Sequence, residues 1–474
     1  MRLTDFQRTT EVAPVISGAV LAILGLTAVV WAVVRVVRYI RADSETRVSI
    51  RQAGRIRRRW KRLAPMVGLS VTDKMPTTLA SLTAKEGETP KPRVLVPTIK
   101  VEPDRYGVIV RAACLPKVSL EEFQRAAPYL ADAWGCTRVS VLPDRPGELI
   151  IRGVRTDPLL TKTVHVPTGK APDDLTVWRL GVDEYAQPVN VSLHDVAGVT
   201  AAGLPGKGKS SLTNKFICDT APSAAIQYAV ADGKASSISE GDYADLADRL
   251  FAFVGDDLAA ANVLFKRLVK LRRDRSAVML SVLKTKNMWS VGPTPSWPLT
   301  VLIVDEAHTF FREHKGNDPA TKKLAALAAE NARLVEDLVK KGRSFGILVI
   351  LATQKATGDA LPTFIRDVCE IGLSFAQKTA DAAVAALGDD IRNWPDASPV
   401  NLQDPAYVGV AVMSVMGRPG FTRVRTPYVD ESHAARIAAD SAHLTRDPAA
   451  LLREFAPLSL RKDLDTDDTA AEAA

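Results

Sequence analysis

The chain has 474 residues, enough for two or three domains, and its 46% hydrophobic and 24% charged content is that of a globular protein. Its formal charge of +8 is unevenly placed: residues 1–66 hold 13 Lys/Arg against 4 Asp/Glu, and the remaining 408 residues hold 49 against 50. This excludes a generally basic soluble part, so any nucleic-acid surface there must be a local patch. Four cysteines (Cys114, Cys136, Cys218, Cys369) and six histidines show neither C-x-x-C nor metal-ligand spacing. That pattern argues against a zinc site or a disulfide framework and for a reducing compartment.

In chain order, Val12–Val34 comes first, 23 residues without a charge. That length spans a bilayer core as a helix. Arg35, Arg38, Arg41, Arg47, Arg51, Arg55, Arg57, Arg58, Arg59, Lys61 and Arg62 all follow it. The positive-inside rule then puts the C-terminal side in the cytoplasm, and a single-pass anchor in the cell membrane is expected. A cleaved signal peptide would be shorter, with its positive charges first and a small-residue cleavage site after it. Residues 1–41 are read as the anchor and 42–92 as a basic juxtamembrane segment and linker. The arginine run 51–62 suits either anionic lipid headgroups or DNA phosphates, with its position favouring lipid.

Residues 93–180 read as a small α+β module. Arg93–Glu102 and Tyr106–Ala112 are predicted strands. Ser119 with Glu122 forms a capping box opening a helix to about Trp134. Arg138–Leu142 and Glu148–Val154 read as a hairpin. No catalytic constellation is visible in this stretch.

Residues 181–430 alternate apolar strands with helical stretches, the pattern of a mostly parallel, covered sheet. The predicted strands are Val196–Ala202, Ile226–Ala231, Leu299–Val304, Ile347–Ala352, Ile371–Phe375 and Tyr407–Met413. Gly203-Leu204-Pro205-Gly206-Lys207-Gly208-Lys209-Ser210 follows the first of them and opens a helix at Ser211. This is a complete G-x-x-x-x-G-K-S phosphate loop in its proper strand–turn–helix context. Gly203 and Gly208 let successive N–H groups point inward around phosphate oxygens, and the helix dipole adds positive charge there. Lys209 is expected on the β- and γ-phosphates of ATP, and the Ser210 hydroxyl on Mg²⁺.

Leu302-Ile303-Val304-Asp305-Glu306 is an apolar strand ending in two carboxylates. Asp305 is expected to hold Mg²⁺ through water and Glu306 to polarise the attacking water. Ile347–Ala352 leads into Thr353-Gln354, where Gln354 is a candidate γ-phosphate sensor or else a strand-capping glutamine. Asp232-Gly233-Lys234 also falls on the ligand edge of the sheet. The densest basic stretch of the soluble part, Arg272, Arg273, Arg275, Lys284 and Lys286, is the candidate DNA surface or else a solvated helix face. Residues 431–474 read as a helical tail (His433–Leu444, Pro448–Phe455) with an acidic, Ala-rich end expected to be disordered.

The combination of anchor, linker, small module and one ATPase module resembles the FtsK/SpoIIIE family of DNA translocases. The motifs that carry the likeness are GLPGKGKS, LIVDE, KKGRSFGILVILATQ and a C-terminal arginine-bearing strand. LGVDEYAQPVNVSLHDV before the loop points to the plasmid-transfer proteins of actinobacterial conjugative elements. The resemblance spans roughly residues 120–430. It implies an α/β fold with a RecA-like P-loop ATPase domain, a homo-hexameric ring, and double-stranded DNA drawn through its channel by ATP hydrolysis. It also implies an arginine finger from a neighbouring subunit, with Arg343 matching the family position and Arg366 as the other candidate. Arg343 could otherwise be a solvated helix-end arginine. A winged-helix module of the kind many relatives carry is not evident after Val429. The rival readings are a membrane-bound ATPase of specialised protein secretion, which usually strings several ATPase modules together, and a chromosome-segregation translocase.

Overall fold

The computed structural model describes residues 39–73, 93–194, 196–354, 361–418 and 420–459, together with Val33, Val36 and Val37. Among them no helix is long and apolar enough to cross a membrane, and the expected span Val12–Val34 lies outside them but for Val33. The acidic end of the tail, from residue 460, lies outside them as well. The chain divides into two compact units, Met1–Asp157 and Pro158–Ala474.

In the first unit a four-stranded antiparallel sheet runs in the order Ile99–Pro103, Gly107–Ala113, Glu148–Val154, Arg138–Pro143. The helix Leu120–Trp134 packs on it. The Ser119 N–H donates to Glu122 Oε2 at 2.9 Å at one end, and Gly135 closes the other at φ 66°. Within the basic segment, Ser44–Met66 is a helix of this unit. Ala53, Ile56, Trp60 and Ala64 recur at helical spacing and are buried with Phe123, Leu130 and Val110 in one core. The Trp60 indole donates to the Pro97 carbonyl at 2.6 Å, and the Gln52 amide to Trp134 O at 2.8 Å. Arg51, Arg55, Arg58, Arg59 and Arg62 take the opposite, exposed face.

The second unit is built on a ten-stranded sheet. Six parallel strands come first: Leu250–Val254, Ile226–Asp232, Leu299–Asp305, Ile347–Thr353, Gly198–Ala202, Ile371–Ser374. Four antiparallel strands extend it: Val410–Ser414, Phe421–Arg425, Val177–Asp183, Pro188–Ser192. All six predicted strands are in this sheet, with ends shifted by at most three residues. Leu299–Asp305 and Ile347–Thr353 are buried at every position, as strands covered on both faces must be. The boundary expected at residue 181 falls at 157/158 instead. Val177–Asp183 pairs with Phe421–Arg425, and Leu159 is buried with Ile391, Leu402 and Val410. The tail helices Glu431–Ser441 and Pro448–Phe455 also belong to this unit, because Ile437, Ala438 and Leu452 join its main core.

Two long helices, Leu258–Leu283 and Pro319–Lys341, pack together through a buried pair in which Asn262 Nδ2 donates to Asn331 Oδ1 at 2.9 Å. Because the six parallel strands run the same way, Ala202, Asp232, Asp305, Thr353 and Ser374 all end at one edge. The phosphate loop, Lys234, Asp305, Glu306 and Gln354 all follow strands that end at that edge.

Candidate nucleotide site

The loop Gly203–Ser210 leaves the strand Gly198–Ala202 and enters the helix Lys209–Thr220. Its glycines meet two separate demands. Gly203 has φ 154° and lies where a Cβ would come within 2.6 Å of Phe375 Cβ; Gly206, at φ 68°, has open space around it and needs only the left-handed backbone. The loop is pinned from outside, since Gly203 N–H donates to Thr353 O, Leu204 N–H to Ala376 O, and Gly409 N–H to Lys207 O. Lys207 itself reaches Gln403 O at 2.6 Å, whereas Pro205 is exposed at the turn. The helix that follows aims its free N–H groups into the loop, which makes the loop an anion cradle.

Lys209 is buried and folded back on the loop, with Nζ 2.6 Å from Gly203 O and 3.1 Å from Leu204 O. Burial, with the Lys234 ammonium nearby, brings its own ammonium down to about 8. An incoming phosphate would replace these carbonyls as its partner and favour the charged form.

The Ser210 hydroxyl lies 2.6 Å from Asp242 Oδ2 and 3.1 Å from Asp305 Oδ2. Asp305 is fully buried, and its Oδ1 accepts the Glu306 N–H at 2.8 Å. Its Oδ2 also takes the Lys234 ammonium at 3.0 Å and the Tyr243 hydroxyl at 3.3 Å. Burial opposes the charge on Lys234, but Asp305 and Asp242 beside it hold its ammonium above the usual range. The donors gathered here are hard oxygens, the set that suits Mg²⁺ rather than a softer metal. The residues therefore fit the metal that the loop implies, with Ser210 and Asp305 as its holders.

Glu306 stands one residue past the strand, in the left-handed region at φ 51°. A non-glycine residue is strained there, and such strain persists only when the surroundings fix it. Here they do: Ala307 N–H donates to Ala352 O, Thr309 N–H to Glu306 O, and Gly233 N–H to Asp305 O. Glu306 Oε2 is buried without a hydrogen-bond partner among the described residues. An unpartnered carboxylate oxygen one residue past Asp305 is a candidate proton acceptor.

A cavity of about 560 Å³ opens over the loop, lined by Pro205, Gly206, Gly208, Lys209, Ser210 and Ser211 on one side. Gln354, Lys234 and Asp242 also reach it, as do Thr426 and Tyr428. Gln354 follows the strand Ile347–Thr353, which lies between the loop strand and the Asp305 strand, so it enters the site between them. Arg425 also lines the cavity, largely buried and held by carbonyls, with Nε on Leu159 O at 2.6 Å and Nη1 on Val408 O at 2.9 Å. It is a nucleoside-triphosphate site of the P-loop kind.

Both candidate arginines lie at the opposite edge of the sheet. Arg343 is exposed in a short turn, Arg343–Phe345, at the amino end of the strand Ile347–Thr353. Arg366 precedes the strand Ile371–Ser374, and its Nη1 donates to Ala385 O at 2.9 Å. A seven-residue strand separates Arg343 from Gln354, on the order of 20 Å. Neither arginine can reach the phosphates bound by its own chain.

The basic stretch is not one surface. Arg275 is buried, donating from Nη1 to Phe345 O and Gly346 O at 2.9 Å and from Nη2 to Pro298 O at 2.8 Å. Its expected place on a DNA surface is corrected: it ties the helix Leu258–Leu283 to the amino ends of two core strands. Arg272 is taken up by Asp337, with Nε 3.0 Å from Oδ2. Arg273, Lys284 and Lys286 remain exposed.

Asp242 and Tyr243 were not singled out by the sequence reading, and Lys234 only as an edge residue. They come from the irregular stretch between the strands Ile226–Asp232 and Leu250–Val254, which carries no motif.

No protein-family model matches the chain, and no curated protein matches it. Among solved structures it is similar to the pCW3 conjugation coupling protein TcpA, in a monomer form with ATPγS. The identity is 15% over 73% of this chain and 93% of that one, with a TM-score of 0.48. It is also similar to the cytoplasmic domain of the type VII secretion ATPase EccC from Thermomonospora curvata. That likeness has 15% identity over 62% of this chain and 34% of that one, with a TM-score of 0.45. A third likeness, to the genome-packaging NTPase B204 of Sulfolobus turreted icosahedral virus 2 with ATPγS, has 17% identity over 50% and 99%, at a TM-score of 0.30.

Proposed function

We propose that this chain is a membrane-anchored ATPase that drives double-stranded DNA through a ring of its own copies, in conjugative transfer of a plasmid or integrative element. The observation that carries the hydrolytic half is Glu306. Its carboxylate has an oxygen without a hydrogen-bond partner among the described residues and sits next to Asp305, which the Ser210 hydroxyl of the loop touches.

Each group has a separable task. The loop N–H groups and Lys209 bind and orient the phosphates. Ser210 and Asp305 would hold Mg²⁺, which when bound would supply charge neutralisation at the transferring phosphoryl group. Glu306 accepts a proton from the attacking water at a carboxylate oxygen. Gln354, at the same edge, orients that water and reads the γ-phosphate. The arginines support a ring: Arg343 and Arg366 lie at the far edge of their own sheet, so either would serve as a finger only in a neighbouring subunit's site. A homo-hexamer is the family's arrangement. The lipid bilayer is the partner of the span Val12–Val34, which would leave the ATPase on the cytoplasmic side.

The DNA half rests on the motif likeness and on the exposed Arg273, Lys284 and Lys286, which suit phosphate rather than base contacts. Steady-state ATP turnover of the full-length chain with duplex DNA, single strands or neither tests it. Duplex DNA is expected to raise turnover at least about ten-fold, with a salt-dependent response. Equal turnover in all three conditions would remove the DNA reading in favour of a protein-secretion ATPase; preference for single strands would favour a coupling protein for single-stranded transfer.

A further inference from the structure

The side-chain cluster around Ser210 contains two groups that the hydrolytic scheme does not use, Lys234 and Asp242. Lys234 Nζ lies 3.0 Å from Asp305 Oδ2, 3.5 Å from Asp242 Oδ2 and 3.5 Å from Ser210 Oγ. A single cation is thus surrounded by three oxygens, and two of these belong to the residues that hold the metal. The Ser210 hydroxyl has one proton and two carboxylate neighbours, Asp242 at 2.6 Å and Asp305 at 3.1 Å. Two carboxylates converging on one hydroxyl repel each other unless one takes up a proton or a positive group lies among them. Here the ammonium is that group.

The backbone holds this arrangement from both sides. The Lys234 N–H donates to Asp232 Oδ1 at 3.0 Å, and Gly233 N–H donates to Asp305 O at 2.9 Å. At Gly233 a Cβ would meet Thr309 Cβ at 2.7 Å and Glu306 O at 2.9 Å, so this turn is pressed directly against the Glu306 turn. Asp242 is tied in by Asn214, whose Nδ2 donates to its carbonyl at 2.9 Å. Lys234 also lines the cavity over the loop, so its ammonium has somewhere to go when it leaves Asp305.

We propose that Lys234 is a resident counter-ion at the metal position, displaced when Mg²⁺ arrives with nucleotide, and that Asp242 is a further oxygen ligand of that metal alongside Ser210 and Asp305. The nucleotide-free site then keeps two carboxylates together without capturing a divalent ion by itself. Metal enters effectively only with a phosphate that can take over the released ammonium. The proposal rests on the nucleotide-site reading but not on which polymer is moved.

The test is divalent-ion binding without turnover. Mn²⁺ is titrated into the nucleotide-free full-length chain and the free ion is counted by its paramagnetic resonance signal. Lys234→Met is expected to bind Mn²⁺ at least about ten-fold more tightly than wild type, because one positive charge has left a site for a doubly charged ion. Lys234→Arg, which keeps the charge, is expected to stay within about two-fold of wild type. Unchanged or weaker binding by a folded Lys234→Met chain would overturn the counter-ion role.

Asp242→Asn provides a second arm that does not depend on how Lys234 variants fold. In the presence of ADP it is expected to weaken Mn²⁺ binding about five-fold or more, whereas a carboxylate that only accepts from Ser210 would leave it unchanged. Unchanged binding there overturns the ligand role. Wild-type chain that binds no ADP with Mn²⁺ would overturn the nucleotide site together with the proposal. Chain that binds ADP normally while both variants match wild type faults the proposal alone.

Discussion

Glu306→Gln should lower ATP turnover by about 10²- to 10⁴-fold while ATP and Mg²⁺ remain bound, the range expected when a general base is lost. The substitution is close to isosteric, so the strained turn at φ 51° and its hydrogen bonds to Ala352 and Thr309 can persist. Only the proton acceptor is removed. The nucleotide is held elsewhere, by the loop N–H groups, Lys209, Ser210 and Asp305. Turnover and binding should therefore separate: filter-bound or fluorescent ATP stays at wild-type affinity as hydrolysis disappears. Loss of both together would mean that Glu306 is part of the binding frame, and retention of both that it is a surface turn residue.

Arg343→Ala has the other large expected effect, about 10³-fold or more on DNA-stimulated turnover, the scale of a supplied arginine at phosphoryl transfer. The reason is geometric. Arg343 is exposed at the amino edge of the strand whose carboxyl end carries Gln354, so a fixed strand length keeps it from its own site. This gives the variant a signature that an ordinary damaged residue lacks. Mixed with Glu306→Gln chains in one assembly, it should regain activity, since an intact Glu306 then meets an intact Arg343 across some interfaces. No recovery on mixing, with both variants assembling normally, would remove Arg343 from the site. Full activity of the Arg343→Ala chain alone would transfer the role to Arg366.

The parts of this site that were legible in the sequence are those whose geometry is local. Gly203–Ser210 and Asp305–Glu306 each need only consecutive residues after an apolar strand, and the strand, turn and helix follow from covalent spacing. Gln354 was legible because a fully apolar strand has a definite carboxyl end. What was not legible depends on long-range contact. Asp242 meets Ser210 from an irregular stretch 32 residues away, and nothing in the pattern of residues 235–249 announces it. The edge of the second unit was misplaced because Val177–Asp183 finds its partner, Phe421–Arg425, about half the chain away.

Helical period carries information that charge does not at two places. Arg275 falls on the same helical stripe as Leu268, Leu271 and Val278, all buried, so its period marked it as inward-facing despite its charge. In Ser44–Met66 the spacing of Ala53, Ile56, Trp60 and Ala64 is equally helical, but the arginines between them drew the reading to a charge run. A count of charges does not say which way they point, whereas the apolar residues between them do. The helix's exposed arginine face remains available to an acidic surface, but its other face is core.

Hydrolysis at Gly203–Ser210, Asp305 and Glu306 is proposed to move duplex DNA. Displacement of a third strand annealed to one end of a linear duplex measures that movement directly. With ATP and Mg²⁺ the full-length chain is predicted to displace the third strand, and Glu306→Gln chain bound to the same duplex is predicted not to. No displacement by a chain that is turning over ATP and bound to the duplex would contradict it.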